Sequence, residues 1–266
     1  MSDFLESMAK SSAERAAQVP LFTDADFDKP VVPLSLDRFG VIAEIKRRSP
    51  AEGQLESGTE TGSKGISYLS SRARSYAAGG AAAISVLTEP SRFDGELAHM
   101  AAVTAAVPTT PVMRKDFLVE PVQVLEARKA GASGVLLITA MLEETKLQTM
   151  LDCAWEHGMF VLLESFDEED LKRSAKYLDG QGQLLIGVNT RNLRTLEVDG
   201  ERLRNLAPML PNAICVAESG QQTPDDAARV ARWGYSMALV GTALMRSDEP
   251  TRLVAAMREA GMAACS

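Results

Sequence analysis

Glu44 and Lys46, Lys115, Glu164, Asn189 and Arg191, and Glu218 stand near the C-terminal ends of five otherwise apolar stretches. The stretches are VIAEIKR (Val41–Arg47), PVMRKDF (Pro111–Phe117), FVLLESF (Phe160–Phe166), LLIGVNTR (Leu184–Arg191) and ICVAESG (Ile214–Gly220). A strand buried on both faces should read as a nearly unbroken apolar run. In a closed α/β barrel, the C-terminal ends of the strands form the active-site face. Charged and amide groups gathered there predict a catalyst. A carboxylate and an ammonium held near one reacting carbon suit general base and general acid roles.

Period-two alternation assigns the faces. Ile42, Glu44 and Lys46 share one, with the last two ~6–7 Å apart along the strand. Met113, Lys115 and Phe117 share another, and so do Leu162, Glu164 and Phe166. Pointing these inward puts two lysines and two carboxylates in one mouth. Opposite charges keep each other ionised, while apolar neighbours push a lone group toward neutrality. Taken alone, Glu44 and Lys46 read more readily as a structural ion pair closing the barrel end, because such pairs also perturb pKa values. Repetition on further strands favours chemistry. Arg191, beside Asn189, could grip a carboxylate in a bidentate fork; the plainer reading is a solvated loop arginine.

A second constellation is Ser219-Gly220 and Gly241-Thr242, after the last two strand-like segments. In many barrels the loops after strands 7 and 8 hold a phosphate with backbone N–H groups. Glycine permits close backbone approach, and a hydroxyl adds a donor. These residues are the candidate phosphate site. Ordinary turns are the alternative.

The elements that must position these groups are legible. Strand-like segments run Val41–Arg47, Ala81–Thr88, Pro111–Phe117, Gly134–Thr139, Phe160–Phe166, Leu184–Thr190, Ile214–Gly220 and Met237–Leu244. A helix-patterned stretch follows each, clearest at Ile66–Ala78, Pro121–Ala130, Glu143–His157, Glu168–Tyr177, Pro224–Trp233 and Pro250–Ala260. Proline at several helix starts and glycine after several ends punctuate them. Eight β-α units without a linker-like break predict one (β/α)8 TIM barrel over 41–266, in preference to a doubly wound open sheet. Residues 1–40 read as an N-terminal helical extension and connector. The polar stretch Ser49–Lys64 reads as a mobile loop over the active-site face.

Composition narrows the function classes. The net charge of -8 disfavours nucleic-acid binding, though local cations can still hold an anionic small molecule. Three cysteines without a CxxC pair give no disulfide framework, and two distant histidines argue against a His-rich metal site. The cysteines, the methionines and Trp155 and Trp233 read as packing residues. No apolar run reaches the ~18 residues of a membrane span, and the N-terminus lacks a secretory h-region. A cytoplasmic enzyme without a His-rich metal site fits, with a monomer as the default in the absence of a strong apolar surface stripe.

AEIKRRSP (43–50), AGGAAAISVLTEPSRFDG (78–95), VMRKDF (112–117), LLESFDEEDL (162–171), IGVNTRNLRTLEVD (186–199), VAESG (216–220) and LVGTALMR (239–246) occur in the order found in indole-3-glycerol phosphate synthases. The chain resembles that family over nearly all of its length past residue 40. The resemblance implies a single (β/α)8 barrel without metal or organic cofactor. It also implies closure of the indole ring of 1-(2-carboxyphenylamino)-1-deoxyribulose 5-phosphate, with loss of CO2 and water. It matches Lys115 to the acid that protonates the carbonyl, Lys46 to the cation for the departing carboxylate, and Glu164 to the dehydration step. It leaves open which lysine acts when. Glu44 joins this catalytic set. Ser49, Pro50, Phe117, Asn189, Arg191 and Glu218 match substrate-binding positions. Ser219, Gly220, Gly241 and Thr242 match the phosphate site. The chain departs from the family pattern at Ala51-Glu52, where a basic residue is common, at Ser165-Phe166, and at Thr190. Two other classes compete: a different phosphate-binding barrel enzyme, such as a Schiff-base aldolase using Lys46 or Lys115, and a non-catalytic binder of a phosphorylated metabolite.

Overall fold

The computed structural model describes residues 3–49, 53–54, 63–193 and 198–265. Eight parallel strands close into a barrel: β1 (Gly40–Ile45), β2 (Ala83–Leu87), β3 (Val112–Lys115), β4 (Gly134–Ile138), β5 (Phe160–Ser165), β6 (Leu184–Asn189), β7 (Ile214–Glu218) and β8 (Met237–Val240). Each strand pairs with the next in sequence and β8 returns to β1, with Ile42 opposite Leu239. The doubly wound alternative is thereby excluded. Every residue of β1, β2, β4, β5, β6 and β8 is buried. That is why these strands read as continuous apolar runs rather than alternating ones.

Between the strands run α2 (Ser63–Ala78), α3 (Leu97–Ala106), α4 (Pro121–Ala130), α5 (Glu144–Glu156), α6 (Glu168–Ala175), α7 (Arg202–Leu206), α8 (Pro224–Arg232) and α9 (Pro250–Ala264), preceded by α1 (Asp3–Ala16). Prolines 121, 224 and 250 occupy the first helical turn, where a missing N–H costs nothing. The strands are shorter at their C-terminal ends than the sequence pattern suggested. The largest difference is at Met237–Leu244, where the ladder stops at Val240 and Thr242–Arg246 forms a short helix. Gly241 is where the backbone leaves the extended conformation, at φ -115° and ψ -77°, and it stands as the N-cap of that helix.

Ahead of β1, α1 lies at the mouth. Leu5 and Met8 are buried, and Phe4 meets Phe117 edge-on with centroids 5.9 Å apart. Arg15 makes two hydrogen bonds to Asp116, of 2.9 and 2.8 Å, and Gln123 Nε2 donates to Ser12 Oγ at 2.9 Å. The connector then descends along α4. Lys129 pairs with Asp26 at 2.8 Å, and Lys29 donates to the Ala130 carbonyl at 3.2 Å. It reaches the opposite end of the barrel, where Val32 N–H donates to Ser133 Oγ at 3.0 Å and Gln183 Nε2 donates to the Leu34 carbonyl at 3.1 Å. Of the stretch Ser49–Lys64, Arg48–Ser49 pairs with Gly53–Gln54 and α2 begins at Ser63. The rest of that expected loop, Pro50, Ala51 and Glu52 included, lies outside the described residues, as does the Ser49 side chain. Among the described residues, no helix is long and apolar enough to cross a membrane.

Candidate active site

The C-terminal ends of the strands open into one cavity of about 660 Å³. Glu44, Lys46, Lys115, Phe117, Glu164, Asn189, Arg191, Glu218, Ser219, Gly220, Gly241 and Thr242 all line it. Five strands and the turns beyond β7 and β8 therefore deliver their polar ends to one space. Period-two alternation explains why Glu44 and Lys46 both face it from β1 and its continuation.

At the centre is a chain of alternating charges. Lys46 Nζ lies 2.8 Å from Glu44 Oε1, and Lys115 Nζ lies 3.9 Å from both Glu44 Oε2 and Glu164 Oε2. Burial pushes the Glu44 carboxyl up, but Lys46 and Lys115 together pull it below the ordinary carboxylate range. Burial pushes Lys115 down, but Glu164, Glu44 and Glu218 outweigh it and raise the amine. Lys115 is thus a fully protonated ammonium suspended between carboxylates. Its 3.9 Å separations are longer than hydrogen bonds, so its protons are not committed to either partner.

Glu218 differs in kind. Burial, followed by the charge of Glu164, holds its carboxyl well above the ordinary range. Glu164 and Glu218 are both buried, and among the described residues no N–H or O–H from outside this pair reaches any of their four oxygens. A proton on Glu218, donated to Glu164, relieves two like charges that could not both stay ionised there. Gly187 makes the meeting possible. It pairs with Glu164 in the β5–β6 ladder, and a side chain at that position would collide with Glu218 Oε1. Glycine on the strand between them leaves the room in which the two carboxyls face each other.

Asn189 Oδ1 accepts from the Arg191 backbone N–H at 3.0 Å, and Arg202 braces the same turn through the Asn189 and Thr190 carbonyls at 3.0 Å each. The sharp turn after β7 has Ser219 and Gly220 both in the left-handed region, at φ 65° and 85°. Gly241 presses against the Glu44–Lys46 pair, so its missing side chain serves that pair as well as any ligand.

Some cavity residues carried no signal of their own in the sequence. Phe4, Arg92, Phe93, Leu193 and Gln221 line the site from outside the strands. Phe4, Phe93 and Phe117 form an aromatic wall, with Phe93 and Phe117 centroids 6.3 Å apart. Asp116, between two expected site residues, also passed unremarked. It is buried and accepts from Arg15, from Thr88 Oγ1 at 2.7 Å and from Arg114 at 3.2 Å. Burial pushes its carboxyl up, but the Arg15 hydrogen bonds and Arg114 prevail and leave it below the ordinary range. Among the described residues, no three His, Cys, Asp or Glu are grouped to hold a metal. Burial pushes the Cys153 and Cys215 thiols up to about 11 and about 12, so neither is an activated nucleophile.

A family model described as indole-3-glycerol phosphate synthase matches residues 11–257. Among similar proteins is an indole-3-glycerol phosphate synthase from Nocardioides sp., 46% identical over 88% of this chain and 86% of the relative. One from Mycobacterium leprae is 42% identical over 94% of this chain and 85% of the relative. A solved 3-hexulose-6-phosphate synthase from Salmonella typhimurium superimposes with a TM-score of 0.62 at 14% identity, covering 85% of this chain and 100% of that one. Thiamine phosphate pyrophosphorylase from Pyrococcus furiosus does so at 0.61 and 15%, covering 86% and 98%. At such identities the two structures speak to the fold alone.

Proposed function

The chain belongs to the indole-3-glycerol phosphate synthase family, and from that premise we propose how its barrel mouth closes an indole ring. It is a decarboxylating lyase of tryptophan biosynthesis that acts on a phosphorylated small molecule. The reading takes 1-(2-carboxyphenylamino)-1-deoxyribulose 5-phosphate as substrate, residues 1–40 as a helical extension and 41–266 as the catalytic barrel. It takes the enzyme to be a cytoplasmic monomer without affinity for nucleic acid.

The observation that carries the mechanism is the charge chain through Lys46, Glu44, Lys115 and Glu164 in one cavity. The ring carbon bearing the carboxylate bonds to the chain carbonyl carbon, and Lys115 gives the carbonyl oxygen a proton. CO2 then leaves, and its bonding electrons restore the aromatic ring. Lys46 holds the carboxylate until it goes. Glu164 takes the proton lost from the neighbouring carbon and passes it to the new hydroxyl, which departs as water. Glu218 steadies Glu164 with its shared proton, and Glu44 keeps both lysines charged and placed. Asn189 and Arg191 orient the substrate, and the aromatic wall with Phe117 receives its benzenoid ring. Ser219, Gly220, Gly241 and Thr242 hold the phosphate. Ser49 and Pro50 are assigned to substrate binding as well.

A Schiff-base aldolase acting through Lys115 is disfavoured, because it needs an unprotonated lysine and Lys115 is held protonated. A pure binder has no use for the acid–base set. The test uses substrate labelled with 13C at the carboxylate. The reading requires one labelled CO2 for each indole formed, and no lysine adduct on borohydride treatment. Labelled CO2 without indole, or a trapped adduct, would overturn it.

A further inference from the structure

Beside the charge chain, two cavity-lining side chains carry polar atoms that no described residue serves. Thr190 and Gln221 are 4% and 7% exposed, and Thr190 Oγ1 and Gln221 Oε1 are buried without a hydrogen-bond partner among the described residues. A buried polar atom left unpaired is costly, so such atoms in a cavity point to a missing ligand group. They come from adjacent turns, Thr190 after β6 and Gln221 after β7. The two turns are bound together, since Thr190 N–H donates to the Glu218 carbonyl at 3.1 Å. A first side-chain carbon on Gly220 would stand 3.8 Å from Thr190 Oγ1, so the threonine hydroxyl abuts the turn that carries Gln221. Yet the two side chains do not bond each other.

The chemistry of the pair selects its partner. Gln221 Oε1 can only accept, and Thr190 Oγ1 can donate or accept. An alcohol matches both: its O–H donates to Gln221 and its oxygen accepts from Thr190. A phosphate dianion has no proton to give Gln221, and a carboxylate has none either. We infer that Thr190 and Gln221 together read one hydroxyl of the substrate's sugar-derived chain, the one next to the phosphate-bearing carbon. The position follows from their place against Ser219-Gly220, where the phosphate is assigned, and the inference rests on that reading of the mouth. The reacting carbons are not touched, so the pair sets specificity and position and takes no part in proton transfer.

The experiment compares Gln221→Leu, Thr190→Val and the conservative Thr190→Ser on the natural substrate and on its analogue lacking that chain hydroxyl. Leu and Val keep the shape and remove the polar atom. On the natural substrate each of these two variants should lower kcat/KM about tenfold, the usual consequence of one unpaired buried partner, and Thr190→Ser should restore it. On the deoxy analogue the wild type should already be slow, and neither variant should slow it further. Inhibition by inorganic phosphate should be unchanged in all variants, and melting temperatures should stay near the wild type's. Equal losses on both substrates would mean that the pair is structural or holds only a resident water, and would overturn the proposal. Loss of phosphate inhibition in Gln221→Leu would also overturn it, by placing that amide on the phosphate. A wild type that turns over neither substrate would refute the ring-closure reading itself, which is a distinct result.

Discussion

Two residues that a substitution table would call dissimilar, Gly187 and Glu218, form one device. Gly187 leaves a gap on β6, Glu218 fills it, and Glu164 meets Glu218 there. Gly187→Ala should therefore cost about 1–3 kcal/mol of stability through overpacking and also depress turnover, checked by denaturant melts and kcat. The shared proton adds a pH dependence. Glu218 keeps its proton in the folded state well above the ordinary 4.5, so between that value and its raised pKa the native state binds more protons than the unfolded chain. Stability then falls as pH rises through this window. Turnover should fall too as the proton leaves and the two carboxylates repel. Glu218→Gln, which keeps a donor at every pH, should lose this alkaline limb in both a melting series and a kcat profile. At this scale the sequence was most legible where charge interrupted an apolar run, as at Glu44, Lys115 and Glu164. Gly187 was not legible, because its role exists only once β5, β6 and β7 lie side by side. Gln221 was hidden in a polar turn, where such residues are ordinary, and Thr190 stood out only as a departure from the family pattern.

The element that period and punctuation could not place was α1. Its amphipathic pattern announces a helix, but nothing in it says which surface receives it. Arg15 and Asp116 lie far apart in sequence, and Asp116 sits on a strand end between Lys115 and Phe117. Helix docking and placement of the central lysine thus share one buried carboxylate. Arg15→Ala should destabilise the protein by about 1–3 kcal/mol, since it strips donors from a buried acceptor. It should raise KM more than it lowers kcat, because Phe4 belongs to the aromatic wall and touches no reacting atom. Asp116 is held below its ordinary 3.8, so the unfolded chain binds more protons once pH nears that value. The stability it supplies is present above pH 3.8 and is lost as pH falls toward its lowered pKa. Asp116→Asn should accordingly be much less stable than the wild type at neutral pH, and the difference should shrink on acidification. The strand and helix order was readable because doubly buried strands leave uninterrupted apolar runs. Strand ends were overextended because the apolar pattern continues past the last ladder bond, most visibly at Gly241–Leu244.

On the scale of the whole molecule, a net charge of -8 surrounds a mouth whose cations, among the described residues, are Lys46, Lys115 and Arg191, with Arg92 at the rim. An anionic substrate is drawn by these few groups against the mean field, so kcat/KM should fall with added salt while kcat changes little. The N-terminal segment runs from the mouth along α4 to the far end of the barrel, joining both faces of the molecule by hydrogen bonds at Asp116 and Ser133. The most direct test of the account is to supply purified protein with 1-(2-carboxyphenylamino)-1-deoxyribulose 5-phosphate and follow indole fluorescence, with Lys115→Met in parallel. The account predicts a steady rise for the wild type and at least a ~100-fold slower rise for a variant that remains folded. An equal rise in both would contradict the role of Lys115, and no rise from folded wild-type protein would contradict the ring-closure reading.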